Sequence, residues 1–180
     1  IRIHTRVPCT LPHRITRELT LGLRRFHPIW INTQFNHPIE LTMEAAAACA
    51  LLADAGIGLG CQTVLLKGVN DAPQTMMELM RGLLRMRVRP YYLHHPDRVQ
   101  GTRHFWPSIE KGLEIIDFLR GNLSGMGVPQ YMIDLPGGGG KIPLLPEYIL
   151  EKGDRFWRIR NFQDRVFDYP VERTTLAQSP

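Results

Sequence analysis

Short apolar or β-branched runs alternate with amphipathic segments along most of this chain, and this alternation constrains the fold more than any other feature. The runs cover residues 1–7, 29–35, 57–66, 88–93 and 130–133. The first four begin about thirty residues apart, which is the length of a β-α-β unit. Such units place their strands parallel in one sheet, joined by helices that cross over a face of it. We therefore expect an α/β protein with a parallel sheet.

Apolar spacing and end signals predict the first two connecting helices. The first carries one apolar stripe with steps of four, four and three residues, formed by Ile15, Leu19, Leu23 and Phe26. His27-Pro28 is expected to end it, since proline cannot continue a helix. Thr42 is a good N-cap for a second, alanine-rich helix that ends at Gly56.

The next two helices are predicted in the same way. Asp71 and Pro73 open the third, whose expected inner face consists of Met76, Leu79, Met80 and Leu83. The fourth starts after Ser108 and closes near Gly121. Its expected inward residues are Ile109, Leu113 and Ile116.

The length sets the extent of the fold. A complete eight-stranded β/α barrel takes about 250 residues, so a chain of 180 residues supplies only part of one. We expect residues 1–146 to form this partial (β/α) barrel. Beyond Pro146 the pattern becomes aromatic and charged, which indicates a carboxy-terminal extension over residues 147–180.

Composition argues against several classes of protein. The net charge of +5 comes from 22 basic residues scattered among 17 acids, so a nucleic-acid-binding stripe is not expected. No apolar run approaches the roughly 18 residues of a membrane span, and a cytoplasmic protein is the simplest interpretation. The three cysteines, Cys9, Cys49 and Cys61, are far apart and have no metal-ligand spacing, so no metal site is expected within the chain.

The most specific local motif is the glycine run from Pro136 to Lys141, directly after a predicted strand. Four glycines let the backbone approach a ligand closely. The run lacks the spacing and the closing hydroxyl of a nucleotide P-loop, because Ile142 follows the lysine. A lysine there could instead attach pyridoxal 5'-phosphate (PLP) through its amine. An exposed glycine turn with a solvated lysine is the alternative.

Two carboxylates, Asp97 and Asp134, follow successive predicted strands. If both face one pocket they would bind a cation, because a buried ammonium needs a charged partner. A helix cap and an exposed turn acid would explain them equally well. The neighbouring His94 and His95 match no metal-binding spacing, and lining of a cofactor pocket is their expected role.

Taken together, these stretches resemble the lysine 2,3-aminomutase family over essentially the whole chain. Two of them read QTVLLKGVND at residues 62–71 and DLPGGGGK at residues 134–141. The others are residues 2–8, 11–16, 27–37, 53–56, 87–92, 111–116, 119–121 and 124–125.

The resemblance implies the carboxy-terminal part of a radical S-adenosylmethionine (SAM) enzyme with a partial barrel. It implies three cofactors: PLP, SAM and a [4Fe-4S] cluster. In that family the cluster cleaves SAM to a 5'-deoxyadenosyl radical, which takes a hydrogen from L-lysine held on PLP as an imine. The nitrogen then migrates to give β-lysine. A homo-oligomer is also expected.

The resemblance also implies roles for individual residues. Lys141 matches the lysine that holds PLP, and Asp97 and Asp134 match the pair that binds the side-chain ammonium of the substrate. Gln62 matches a polar residue near the cofactors. Weaker candidates for cofactor contacts are Asn32, Arg6 and His94.

Several positions depart from the family pattern. The CxxxCxxC cluster motif does not occur in these 180 residues, so the cluster ligands are expected outside them and the chain by itself is expected to be inactive. Gln34 and His94 stand where better-known members carry histidine and tyrosine. Ala72 replaces a cysteine that helps bind zinc in some members, and we expect no zinc.

The substrate is predicted from the acidic pair. Two aspartates would repel the side-chain carboxylate of glutamate, so lysine is favoured over the substrate of glutamate-specific relatives. Around Tyr91 and Asp97 the chain also resembles the aminomutases that make β-lysine for elongation factor P, and Arg98 beside Asp97 would weaken ammonium binding. A non-catalytic partial barrel is the alternative from another class.

Overall fold

The computed structural model of the chain describes residues 1–171 and divides into two compact units, the second beginning at Pro146. The first unit contains one six-stranded sheet whose strands lie in sequence order. They are β1 (Arg2–His4), β2 (Trp30–Gln34), β3 (Gly58–Val64), β4 (Arg89–His94), β5 (Gln130–Leu135) and β6 (Gly140–Leu144). The strands from β1 to β5 are parallel, and β6 is antiparallel to β5. This confirms the predicted α/β class with a parallel sheet.

Five α-helices accompany the sheet: α1 (Val7–Thr10), α2 (Arg17–Arg24), α3 (Met43–Asp54), α4 (Pro73–Arg85) and α5 (Ile109–Asn122). The N-cap predicted at Thr42 is confirmed, whereas α4 begins after Ala72 without a side-chain cap. The Thr42 hydroxyl accepts a hydrogen bond from the Ala45 N–H at 3.1 Å, and Ser108 caps α5 in the same way. Gly56 follows α3 with φ of +80°, a conformation that glycine adopts at little cost.

The hydrophobic core lies between the sheet and α3, α4 and α5. The predicted inner face of α4 is confirmed, because Met76, Leu79, Met80 and Leu83 are completely buried. Burial of each such side chain stabilises the fold by roughly 1.5–3 kcal/mol before entropy is counted. On the strands, the side chains that face this core alternate with side chains on the opposite face of the sheet.

Two predicted helix faces were partly wrong. In the first, Ile15 is buried but lies before α2, while Leu19 and Phe26 are 41% and 61% exposed. Thr16 caps α2 and thereby moves its start to Arg17. Helix α2 packs beside α3 and buries Thr20, and Leu23 of the predicted stripe packs against the core while Leu19 and Phe26 meet solvent.

In α5 the buried face is centred on Ile115, Ile116 and Leu119. Ile109 is 38% exposed because it sits in the first turn, where the helix end borders a cavity.

The first strand is shorter than predicted. It ends at His4, and the chain turns into α1 at Val7. Pro8 lies in the first turn of α1. Backbone N–H groups in a first turn have no acceptor within the helix, so a proline there costs no hydrogen bond.

The second unit is a three-stranded antiparallel sheet of β7 (Ile149–Lys152), β8 (Phe156–Arg160) and β9 (Val166–Pro170). One face pairs Trp157 with Tyr169 across the strands. The other carries Arg158 between Glu151 at 3.4 Å and Asp168 at 3.7 Å. Among residues 1–171, the helices are all too short or too polar to cross a lipid bilayer.

Candidate active site

The face of the main sheet opposite the core forms a polar cavity of about 580 Å³, which we call the sheet-face cavity. Alternation along β1, β2 and β3 brings their polar side chains to this face, while their apolar neighbours enter the core. The lining residues are Arg2, His4, Trp30, Asn32, Gln62, Tyr91, Tyr92, His94 and Lys141. The structure therefore brings together four of the predicted cofactor-binding residues: Asn32, Gln62, His94 and Lys141.

Two glycines of β3 make room in this cavity. A Cβ at Gly60 would lie 2.6 Å from Asn32 Oδ1 and 3.1 Å from the Tyr91 ring. A Cβ at Gly58 would lie 2.5 Å from the ring of Trp30. Because neither glycine carries a side chain, these three neighbours lie directly over the strand.

An irregularity between β3 and β4 places two consecutive tyrosines on the same face. The register pairs Cys61 with Pro90 and then Gln62 with Tyr92, which leaves Tyr91 as an extra residue. The Tyr91 hydroxyl donates a hydrogen bond to Gln62 Oε1 at 3.2 Å. Burial raises the pKa of Tyr91, so the phenol keeps the proton that it donates.

The glycine run forms a tight hairpin, and Lys141 lies on a strand where the sequence predicted a loop. Gly137, Gly138 and Gly140 have φ of +67°, +80° and +84°, values that side chains with a Cβ rarely adopt. They let the chain reverse directly into β6. Asp134 then lies opposite Lys141 in the antiparallel register. The Lys141 ammonium donates to both carboxylate oxygens, at 2.7 and 2.6 Å.

A second cavity, of about 790 Å³, lies where the loop after β4 meets the end of β5, and we call it the loop cavity. Its lining residues are His95, Pro96, Asp97, Arg98, Pro107, Ser108, Ile109, Glu110, Ile133, Asp134, Leu135 and Pro136. Both predicted substrate-binding aspartates therefore line one cavity. Asp134 also joins this cavity to Lys141 of the sheet-face cavity through the ion pair.

His94 lies close enough to Lys141, Asp134 and Asp97 to feel their charges. Its ring packs edge-on against Tyr92, with centroids 5.5 Å apart. Burial lowers the pKa of His94 and the Lys141 cation lowers it further, while Asp134 and Asp97 oppose this effect. The ring is therefore neutral at physiological pH and offers one donor and one acceptor nitrogen.

Arg6 lies apart from the sheet-face cavity. Its guanidinium pairs with Glu40 at 2.8 Å, and Glu40 also accepts the Asn36 N–H at 2.5 Å. Arg6 borders a smaller cavity of about 220 Å³ that Asn32 and Gln62 also line. The Glu40 carboxylate thus balances the charge of Arg6 beside these two amides.

Asn70, which belongs to the motif at residues 62–71, has a structural role. It is completely buried. Its amide nitrogen donates to the Asn36 and Val64 carbonyls at 2.7 and 2.8 Å, and its oxygen accepts the Leu66 N–H at 2.7 Å. Both amide protons and one of the two acceptor positions of the oxygen are used within the fold, and burial keeps the side chain away from a ligand.

Sequence reasoning missed several residues at these cavities. Arg2, His4 and Trp30 were not selected, although alternation along β1 and β2 places them beside Asn32. The contact between His95 and Tyr131 was also missed. It joins residues 36 positions apart at 2.7 Å, and local spacing carries no signal for it.

The cysteines do not form a ligand set. Burial raises the pKa of the Cys49 and Cys61 thiols to about 12 and also raises that of Cys9. Such thiols stay protonated, whereas metals bind thiolates. Within residues 1–171, no three His, Cys, Asp or Glu side chains are grouped so that they could hold a metal ion.

A family model described as Lysine-2,3-aminomutase matches residues 116–178. L-lysine 2,3-aminomutase from Fusobacterium nucleatum is 50% identical over 94% of this chain and 40% of its own length. The enzyme of the same name from Clostridium subterminale is 48% identical over 97% of this chain and 42% of its own length.

A relative named for another substrate also matches. Glutamate 2,3-aminomutase from Clostridioides difficile is 46% identical over 92% of this chain and 39% of its own length. The chain thus spans about two fifths of the length of these curated relatives.

Proposed function

Because this chain belongs to the lysine 2,3-aminomutase family, we propose that the whole protein interconverts L-lysine and β-lysine. The reaction is an isomerisation. The bond between nitrogen and the α-carbon breaks, a bond between nitrogen and the β-carbon forms, and one hydrogen moves from the β-carbon to the α-carbon. The α-carboxylate and the side-chain ammonium remain unchanged and are available for recognition.

The observation that carries this proposal is the position of Lys141 and Asp134 at the junction of the two cavities. Lys141 is one of the polar and aromatic residues that line the sheet-face cavity. Asp134 and Asp97 both line the loop cavity. A reactive amine and a pair of carboxylates thus lie close together. This arrangement suits a substrate with a reacting amino group at one end and a cation at the other.

The donor set of the sheet-face cavity fits PLP. Lys141 is a primary amine on a regular strand with 35% of its side chain exposed, so a carbonyl compound has access to it. Arg2 supplies a cation for a phosphate in the same cavity, and Trp30 and Tyr92 supply aromatic surface. PLP supplies reversible attachment of amino groups and stabilisation of charge next to them. Lys141 would hold it there.

The carboxylates explain the choice of substrate. Hydrogen bonds from an ammonium to carboxylates are about twice as strong as neutral ones. In this structure Asp134 already binds a primary ammonium, that of Lys141, at 2.6 Å. Asp97 and Asp134 would bind the side-chain ammonium of L-lysine in the loop cavity. A glutamate side chain would place a third carboxylate beside them, which like-charge repulsion disfavours.

The amides near the smaller cavity fit polar groups of SAM. Gln62 and Asn32 line it, and Gln62 is oriented by the Tyr91 hydroxyl. The [4Fe-4S] cluster, by contrast, does not fit residues 1–171, because no three His, Cys, Asp or Glu side chains there are grouped so that they could hold a metal ion.

The test is turnover by the full-length protein, purified anaerobically and supplied with iron, sulfide, SAM, PLP and a reductant. We expect L-lysine to yield β-lysine, measured by chromatography of the derivatised amino acids. The matched control is Lys141→Arg, which keeps the positive charge but lacks the primary amine, and it should be inactive. Turnover of L-glutamate without turnover of L-lysine would contradict the proposal.

A further inference from the structure

The hydrogen bond between His95 and Tyr131 lies behind the wall of the loop cavity and has no role in the chemistry described so far. His95 Nδ1 and the Tyr131 hydroxyl are 2.7 Å apart, and their rings meet edge-on with centroids 6.0 Å apart. His95 lines the cavity, whereas Tyr131 is completely buried on β5. The bond therefore connects the core to the cavity wall.

Tyr131 is held firmly in place. Its ring fills a notch in α5 where residue 112 is glycine, and a Cβ there would overlap the ring and its hydroxyl. The phenol cannot tilt away without opening a void between β5 and α5, and voids in a packed core are costly. The hydroxyl is thus a fixed point inside the protein.

The direction of the hydrogen bond follows from burial. Burial raises the pKa of Tyr131 far above its ordinary value, so the phenol retains its proton. In the described part of the chain, His95 Nδ1 is the acceptor within reach of that proton. The phenol therefore donates, and Nδ1 accepts. Burial and the nearby Arg98 lower the pKa of His95, so the ring is neutral and its own proton is on Nε2.

This arrangement fixes the start of the loop that carries Asp97. The His95 N–H donates to the Met132 carbonyl at 2.7 Å, so both the backbone and the ring of His95 are anchored to β5. Pro96 follows, and its ring restricts φ. The Asp97 carbonyl then accepts the Val99 N–H at 2.9 Å, which turns the chain. Only one restricted residue separates the anchored histidine from the aspartate.

We propose that the hydrogen bond from Tyr131 to His95 positions Asp97 for binding the cationic end of the substrate. Both are positioning residues, since they act through the aspartate. The inference rests on the proposed function for its substrate, an amino acid with a distal ammonium. It predicts that loss of the bond impairs recognition of that ammonium more than it impairs the chemical step.

The first test is steady-state kinetics of the full-length protein with Tyr131→Phe, which removes the hydroxyl and keeps the ring in its notch. We expect the KM for L-lysine to rise roughly tenfold, the typical effect of one buried hydrogen bond, while kcat and the KM for SAM change less than about twofold. His95→Leu should behave alike, and the double variant should be no worse than either single variant. The matched control is Tyr169→Phe, at an exposed position of β9.

A variant that restores the hydrogen-bond acceptor at position 95 distinguishes loss of positioning from loss of folding. In His95→Asn the amide oxygen takes the place of Nδ1 as an acceptor, so this variant should bind L-lysine more tightly than His95→Leu does. An unchanged KM for L-lysine in Tyr131→Phe would overturn the proposal. An equal rise in the KM for L-lysine and the KM for SAM would also overturn it.

A second measurement does not depend on the substrate. Nitrogen NMR of histidine-labelled protein, with the His95 signal assigned from its loss in His95→Asn, should show a neutral ring protonated at Nε2. In Tyr131→Phe the signal should change toward a mixture of tautomers. A ring protonated at Nδ1 in the unaltered protein would overturn the inference, even if L-lysine is turned over. If L-lysine is not turned over and the tautomer is as expected, the proposed function fails and the His95–Tyr131 bond stands.

Discussion

Lys141 and Asp134 face each other across the hairpin of β5 and β6, with the lysine ammonium 2.6–2.7 Å from both carboxylate oxygens. The pair joins the side chain expected to hold PLP to a side chain expected to bind the substrate. Both are partly exposed, at 35% and 43% of their side-chain surface. The pair therefore contributes little to stability, and its main consequence is for binding.

Two replacements of Lys141 should distinguish the role of its positive charge from the role of its primary amine. Lys141→Arg retains a cation that pairs with Asp134, whereas Lys141→Ala does not. Both should lose the visible absorbance of lysine-bound PLP, because neither has a primary amine. Their free energies of unfolding should stay within about 1 kcal/mol of the unaltered protein, as for an exposed ion pair. Unchanged absorbance in either variant would mean that another lysine holds PLP.

Removing charge from the acidic pair should weaken substrate binding. Asp97→Asn and Asp134→Asn keep the side-chain shape but replace a charged acceptor by a neutral one. A hydrogen bond to a charged group contributes about 1.5–3 kcal/mol, so each variant should raise the KM for L-lysine roughly tenfold to a hundredfold. Glu114→Gln, on the exposed side of α5, is the control and should leave the KM unchanged. A similar KM in all three variants would exclude the aspartates from recognition.

Asn70→Ala should destabilise the protein strongly. The substitution leaves the Asn36 and Val64 carbonyls and the Leu66 N–H without their partner in a buried position. Each buried group that loses its partner costs about 1–3 kcal/mol. We expect the free energy of unfolding in urea to fall by about 3 kcal/mol or more. Asn122→Ala, at an exposed position near the end of α5, should cost less than about 1 kcal/mol.

Two glycines inside helices should respond in opposite ways to the same substitution. Gly112→Ala places a methyl group into the ring of Tyr131 and should destabilise by about 1–3 kcal/mol. Gly22→Ala in α2 meets no atom within 4 Å and should be neutral or stabilise by up to about 1 kcal/mol. Thermal unfolding followed by circular dichroism measures both. Equal effects would show that Tyr131 does not fill the notch in α5.

Stability should fall as the medium becomes acidic. Burial lowers the pKa of both His94 and His95 below the ordinary 6.5. Just below pH 6.5 the unfolded chain therefore binds more protons than the folded one, so the free energy of unfolding decreases as pH falls through that range. Replacing both by glutamine should reduce this decrease, measured by urea unfolding at several pH values. The control variant is His104→Gln, at an exposed position.

Residues close in sequence determined the parts of the fold that depend on periodicity. Met76, Leu79, Met80 and Leu83 lie on one side of α4 because a helix repeats every 3.6 residues. The Thr42 cap follows from the hydrogen-bonding needs of a helix start. The parallel sheet follows from connections long enough for a crossover. These features were predicted correctly because the interactions behind them are local or repetitive.

Only the tertiary structure decided which side chains meet. It placed Lys141 on a strand opposite Asp134, because three glycines with positive φ let the chain reverse at once. It enclosed Asn70 in the fold, and it brought His95 to Tyr131 across 36 residues. It also left Phe26 exposed. Each outcome depends on packing between segments far apart in the chain, and local spacing does not encode which segments those are.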